Sequence, residues 1–157
     1  MKTLIVYDSL FGNTKEIALA IKKGIGNEAK ILKADEFKKE DLLDVKLLIV
    51  GSPTHAGRPS EKIKVFLERI EIKKGIMGAA FDTGIPTKGK NIFLKIIIKF
   101  FKYASPHIAK ALEKKGVKVM GTKTLFVLDK KGPLEKGEKE RAEKWAKEVF
   151  EKTKQSL

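Results

Sequence analysis

The chain contains no cysteine, which excludes disulfides, thiolate metal sites and a cysteine nucleophile. Histidine is almost as scarce. Only His55 and His107 can offer imidazole, so no protein-held metal is expected. There is a single tryptophan and a single glutamine, and only three of the 34 basic residues are arginine. No segment approaches the roughly 18 apolar residues that a membrane span needs, and the first apolar run is too short for a secretory signal. A cytoplasmic protein whose chemistry comes from a bound cofactor is the expectation, with no protein nucleophile or acid–base pair.

What the chain does have is lysine. Thirty-four Lys and Arg stand against 20 Asp and Glu, for a formal charge of +14. Such a balance prompts a search for nucleic-acid binding or an anionic surface. The lysines are scattered along the whole length, however, and the arginines that read base edges are nearly absent, so nucleic acid is not the expected partner. Abundant Lys, Glu and Ile beside one Gln suggests a thermophilic source. At 157 residues, a single domain over 1–157 is expected.

Apolar runs and helical periods alternate from end to end. Leu4 to Val6 reads as a buried parallel strand, and Ile17, Ile21 and Ile25 recur at helical spacing. A strand near Ala29 to Leu32, a polar helical stretch around Asp35 to Leu43 and a strand at Leu47 to Val50 follow. A helix starting after Pro59 buries Ile63, Phe66, Leu67 and Ile70. Ile76 to Phe81 is the fourth strand. Helical character then runs from Asn91 to Lys115 with a break near Ser105-Pro106, where His107 reads as structural. The fifth strand lies within Val117 to Leu128, with Gly121 as a bulge or break. In the last helix Ala142, Trp145, Ala146, Val149 and Phe150 form one apolar stripe. Glu140–Lys144, Glu143–Lys147 and Glu148–Lys152 are spaced to pair on its outer face. Five strands with helical crossovers imply a parallel sheet covered on both faces, with ligands bound at the strands' carboxyl ends.

Two loops at those ends carry chemistry. Ser9-Leu10-Phe11-Gly12-Asn13-Thr14 passes from strand to helix, so its amides, its hydroxyls and the positive end of the helix dipole favour a phosphate. The alternative is a plain capped helix, with Asn13 and Glu16 as the capping pair. Gly51-Ser52-Pro53-Thr54-His55-Ala56-Gly57-Arg58-Pro59 combines two prolines with two glycines, a rigid backbone against which a flat ring can lie. Here Thr54 and His55 are candidate donors, and an exposed turn is the alternative for His55. A third loop, Gly84-Ile85-Pro86-Thr87-Lys88-Gly89-Lys90-Asn91, falls one residue short of a P-loop because Asn91 lacks the hydroxyl that would ligate Mg²⁺. It reads as a flexible loop over the ligand. From Ile92 to Tyr103 the chain is apolar around a stripe of Lys95, Lys99 and Lys102. That pattern suits a buried helix with one solvated edge, or a basic-apolar surface for a bilayer interface or another subunit.

Together these two motifs resemble the flavodoxin-like FMN-binding family at its phosphate loop and first ring-flanking loop, and the resemblance extends over nearly the whole chain. It implies a three-layer α/β fold with a five-stranded parallel sheet of order 2-1-3-4-5. It also implies FMN phosphate on Ser9, Leu10, Phe11, Gly12, Asn13 and Thr14, and a ring between Pro53, Thr54, His55, Ala56 and Gly57 on one side and Asp82, Thr83 and Gly84 on the other. His55 would be a proton donor to the reduced ring. Electron transfer is the implied activity; the alternative is an FMN-dependent oxidoreductase acting on a quinone, a porphyrinogen or NAD(P)H, with a membrane surface as one setting for it. The chain departs from the family in its basic charge, which calls for a redox partner with an acidic docking surface. No Tyr or Trp adjoins Asp82 to Gly84 in sequence, which leaves Phe11 or His55 as ring contacts.

Overall fold

Leu4, Ile5 and Val6 are fully buried, as are Leu47, Leu48, Ile49 and Val50, so both faces of these strands must be covered. The computed structural model, which describes residues 1–86, 92–93 and 102–157, covers them with helices. Strand β1 (Lys2–Tyr7) leads to helix α1 (Asn13–Ile25), β2 (Ala29–Lys33) and two short 3₁₀ turns (Ala34–Glu36 and Lys39–Leu42). There follow β3 (Val45–His55), β4 (Arg58–Pro59), α2 (Glu61–Arg69), β5 (Met77–Gly84), α3 (Ser105–Lys114), β6 (Lys118–Phe126) and α4 (Glu138–Gln155). The five long strands are all parallel, in the order β2-β1-β3-β5-β6. This is the expected 2-1-3-4-5 order, to which the short antiparallel β4 is added as a hairpin partner of β3.

Alternate side chains feed two cores. Leu4, Val6, Leu48 and Val50 pack with Ile63, Phe66 and Leu67 of α2 and with Ile108 and Leu112 of α3. Ile5, Leu47, Ile49 and Phe81 pack on the other face with Ile17 and Ile21 of α1 and with Trp145, Val149 and Phe150 of α4. The β5–β6 register shifts between Gly78 and Ala80, so Met120 and Gly121 together oppose one residue, and Gly121 is the bulge its composition suggested. A Cβ there would sit 3.4 Å from the Trp145 indole nitrogen.

Several local expectations give way to tertiary contacts. Pro59 does not open a helix; it pairs with Thr54 in the hairpin, and α2 begins at Glu61 behind Ser60. The polar stretch at Asp35 to Leu43 forms two 3₁₀ turns in place of one helix, tied by Lys38 N–H to Asp41 (2.9 Å) and Lys30 to Asp41 (2.6 Å). The α4 ion pairs also differ: Glu143 reaches Lys23 of α1 at 2.8 Å, Lys139 reaches Glu16 at 3.2 Å, and Lys154 meets Glu151 at 2.9 Å. The helix–helix interface offers partners closer than the next turn. The segment at 87–91 and 94–101, with its near-P-loop and most of the apolar-basic stretch, lies outside the described residues. Ile92 and Phe93 are exposed, and Tyr103 is buried. Among the described residues no helix is long and apolar enough to cross a membrane.

The carboxyl end of β6 is held by a buried carboxylate. Glu138, at the start of α4, accepts from the Phe126 amide (2.6 Å) and pairs with Arg141 (2.6 Å), whose guanidinium also donates to the Thr124 carbonyl (2.6 Å). Glu138→Ala leaves the amide and the guanidinium without this acceptor and is expected to lower unfolding stability by about 2 kcal/mol, read from urea denaturation.

Candidate functional site

The carboxyl ends of β1, β3 and β5 meet around a cavity of about 350 Å³. Its walls come from Leu10, Phe11, Asn13 and Thr14 after β1, from Pro53 to Gly57 at the end of β3, and from Thr83 and Gly84 at the end of β5 with Ile85 just beyond. Lys102, Tyr103, Val127 and Lys130 add to it, and among the described residues no acidic side chain lines it.

The loop after β1 is organised by a hydroxyl. Ser9 Oγ accepts from the amides of Gly12 (3.1 Å) and Lys15 (3.2 Å), which leaves the amides of Asn13 and Thr14 without a partner among the described residues. The cap of α1 is Gly12 at φ 92°, a left-handed conformation natural to glycine, and no side chain caps the helix. Asn13 and Glu16 are therefore not a capping pair: the Asn13 side chain donates through Nδ2 to the Lys131 carbonyl at 3.2 Å, and Glu16 pairs with Lys139. Thr14 Oγ1 and Thr83 Oγ1 lie 2.8 Å apart in a buried contact that joins this loop to β5. Free first-turn amides and the positive end of the α1 dipole make the loop an anion acceptor.

The second wall is a hairpin, although its composition reads as a loop. β3 runs on through His55 and pairs antiparallel with Arg58-Pro59, so Ala56 (φ 47°) and Gly57 (φ 77°) form a two-residue turn with both central φ values positive. Ser52 Oγ accepts from the Ser60 amide (2.8 Å) and donates to the Pro53 carbonyl (2.8 Å), which clamps the hairpin base. Thr54, His55, Ala56 and Gly57 then face the cavity. The His55 side chain is exposed and its imidazole has no partner among the described residues.

Asp82, Thr83 and Gly84 also look like a loop and are instead the last residues of β5. Asp82 does not line the cavity. It is wholly buried behind the wall, where its carboxylate accepts from Thr54 Oγ1 (2.6 Å), Thr124 Oγ1 (2.8 Å) and the Ala104 amide (2.9 Å). Burial pushes its pKa up, against the opposing pull of the Thr54 and Thr124 hydrogen bonds. Asp82 thus positions Thr54 and the start of α3. Ser9 and Gly12 likewise shape the wall from behind.

Sequence proximity missed Tyr103. No aromatic adjoins Asp82 to Gly84 along the chain, yet the Tyr103 ring lies 3.0 Å from where a Gly84 Cβ would stand, and its hydroxyl donates to the Ile85 carbonyl at 2.9 Å. The Ala104 amide bond to Asp82 holds that ring in place. Lys102, Val127 and Lys130 reach the cavity from distant segments in the same way, whereas Ile85 simply extends the wall one residue beyond Gly84. Among the described residues no three His, Asp or Glu side chains cluster as a metal site.

Comparison with known proteins bears on this cavity. The family model described as "Flavodoxin domain" matches residues 4–120. A flavodoxin of Aquifex aeolicus (strain VF5) is 40% identical over 73 residues, 44% of this chain, and the match spans only 40% of that relative's length. Among solved structures, a flavodoxin from the domain Archaea superposes with a TM-score of 0.73 at 22% identity, covering 98% of this chain and 99% of the other. Oxidised Flavodoxin 2 from Bacillus cereus superposes at 0.71 with 25% identity, over 97% and 99% of the two chains.

The buried carboxyl generates a pH signature. Its raised folded-state pKa means that the folded chain binds a proton more tightly than the unfolded one, so Asp82 reduces stability as pH rises from the unfolded carboxylate value, about 3.9, through the folded one. Asp82→Asn lacks this loss. The stability of the variant relative to the parent is expected to rise from pH 4 to pH 8 in urea unfolding.

Proposed function

The chain belongs to the flavodoxin domain family, and from that premise we propose that it is an electron carrier that binds FMN in this cavity. The observation that carries the reading is the meeting of an amide-rich helix start and a rigid hairpin in one cavity lined by cations and no carboxylate. FMN is a flat ring system joined to a phosphate, and these walls fit both parts. The phosphate is assigned to residues 9–14, where the amides of Asn13 and Thr14 await an acceptor and Ser9 holds the loop in shape. The ring is assigned to the space between the hairpin residues Pro53, Thr54, His55, Ala56 and Gly57 and the residues Thr83, Gly84 and Tyr103.

Bound FMN supplies one- and two-electron redox chemistry. The protein's part is to hold, orient and shield. Thr54 Oγ1 donates to Asp82 at 2.6 Å and accepts from the Ala104 amide at 3.2 Å, so its hydroxyl proton points away from the cavity. His55, exposed at the hairpin tip, is the side chain placed to deliver a proton at the cavity mouth. Tyr103 closes the inner wall and keeps water from the Gly84 backbone.

Family members pass electrons to redox partners, and the finer expectation here is a partner with an acidic face. The net charge of +14 supports it, as do Lys102 and Lys130 at the cavity and the exposed Leu10, Phe11 and Ile85 beside them. Complex formation with such a partner is expected to weaken steeply with added salt.

Titrating FMN into the purified chain is expected to give saturable shifts in the visible absorption of the flavin. Gly12→Val, which strains the left-handed cap, is expected to weaken binding by about ten-fold. Absence of saturable FMN binding by the parent protein would overturn the assignment.

A further inference from the structure

The loop that follows β6 carries no motif, yet it is strapped across the start of α1. Val127 and Leu134 form an antiparallel bridge, the Leu128 amide donates to the Pro133 carbonyl at 2.9 Å, and the Gly132 amide donates to the Asp129 carbonyl at 2.9 Å. These bonds close the loop on itself. Three contacts then seat it on the anion-accepting loop. Asn13 Nδ2 donates to the Lys131 carbonyl at 3.2 Å, and the Lys131 ammonium lies 6.0 Å from the centroid of the Phe11 ring. Gly132, at φ 99°, approaches Asn13 so closely that a Cβ would fall 2.5 Å from Asn13 Oδ1. The seating brings Lys130 into the same cavity wall as Phe11, Asn13 and Thr14. Lys130 itself is exposed and takes no ion-pair partner among the described residues.

We propose that Lys130 is a specificity-determining residue that makes the site select a phosphorylated flavin over its unphosphorylated form. The inference rests on the FMN reading of the cavity. Helix-start amides carry a partial charge of about half an elementary unit, which leaves most of a phosphate dianion uncompensated. One ammonium supplies a full unit, and Lys130 lines the same cavity as Asn13 and Thr14, to which the phosphate is assigned. Because Lys130 is exposed, its contribution is open to screening by salt. Asn13 and Gly132 act through the loop: the first holds it, and the second permits the close approach.

The test compares FMN with riboflavin, with affinities read from quenching of flavin fluorescence by the full chain. At low salt Lys130→Gln is expected to weaken FMN by about five-fold and to leave riboflavin unchanged, with the difference shrinking at high salt. Lys130→Arg is expected to retain the preference for FMN. Gly132→Val, which lifts the loop from Asn13, is expected to reproduce the Lys130→Gln pattern, with circular dichroism confirming that it folds. If Lys130→Gln affects both flavins equally or neither, the Lys130 assignment fails while the FMN reading stands. If the parent binds neither flavin, the FMN reading fails, and inorganic phosphate then decides the role of Lys130. In that case the flavin selectivity falls with the FMN reading, and saturable phosphate shifts of the Asn13 and Thr14 backbone amides, weakened in Lys130→Gln, would support only phosphate recognition by Lys130; no such shifts, or shifts unchanged in the variant, would overturn that as well.

Discussion

Everything in this fold depends on strands that have no polar face. Leu47, Leu48, Ile49 and Val50 are buried whichever way they point, and Leu4, Ile5 and Val6 repeat the pattern beside them. A strand of this kind cannot tolerate water on either side, so helices must cover both, and each crossover returns the chain to the same end of the sheet. All the carboxyl ends therefore share one edge. The strand order reverses at β1 and β3, whose following segments run to opposite faces and leave a gap between them. The cavity occupies that gap. Its position follows from hydrophobic burial, before any functional residue is considered.

Around that gap the molecule divides its work between residues that face the cavity and residues that hold them. Asp82 is the clearest holder. It sits in a medium that penalises its charge, and hydroxyls from two neighbouring strands and the Ala104 amide satisfy it. Those partners belong to β3, β6 and the segment that carries Tyr103, so one carboxylate sets the relative placement of two cavity walls. Ser9 does the same for the helix start on a smaller scale: by taking the Gly12 and Lys15 amides it leaves those of Asn13 and Thr14 free. The Thr14–Thr83 hydroxyl contact couples the two regions. A site assembled in this way is rigid without metal or disulfide, as a chain without cysteine requires.

Strong periodicity made most of the architecture legible. The α4 stripe of Ala142, Trp145, Ala146, Val149 and Phe150 is buried as its spacing implies and Gly121 is a bulge, while the strand order agrees with what the family resemblance, not periodicity, implied. Residues at element ends were harder to read. Asp82, Thr83 and Gly84 carry turn propensity, but cross-strand hydrogen bonding keeps them in β5; Pro59 suits a helix start, but pairing with Thr54 makes it a strand. Local preference amounts to a few tenths of a kcal/mol per residue, and a satisfied buried hydrogen bond outweighs it. On α4, Lys139 and Glu143 likewise pair with Glu16 and Lys23 of α1, while Glu151–Lys154 stays within the helix.

The cavity loops Ser9 to Thr14 and Pro53 to Gly57 were recognisable because each is a continuous stretch of chain whose chemistry is written in adjacent residues. By itself the sequence determined the two-faced burial of the strands, hence the parallel sheet, the end at which the cavity opens and the run of hydroxyls and amides in the first loop. Only the tertiary structure decided which distant side chains complete the cavity: Tyr103 against Gly84, Lys130 beside Asn13, and Asp82 withdrawn behind the wall. The physical reason is that periodicity and propensity act over a few residues. Contacts between segments roughly 20 to 120 positions apart depend on how closely two backbones approach, and that is settled when the whole sheet and its helices pack.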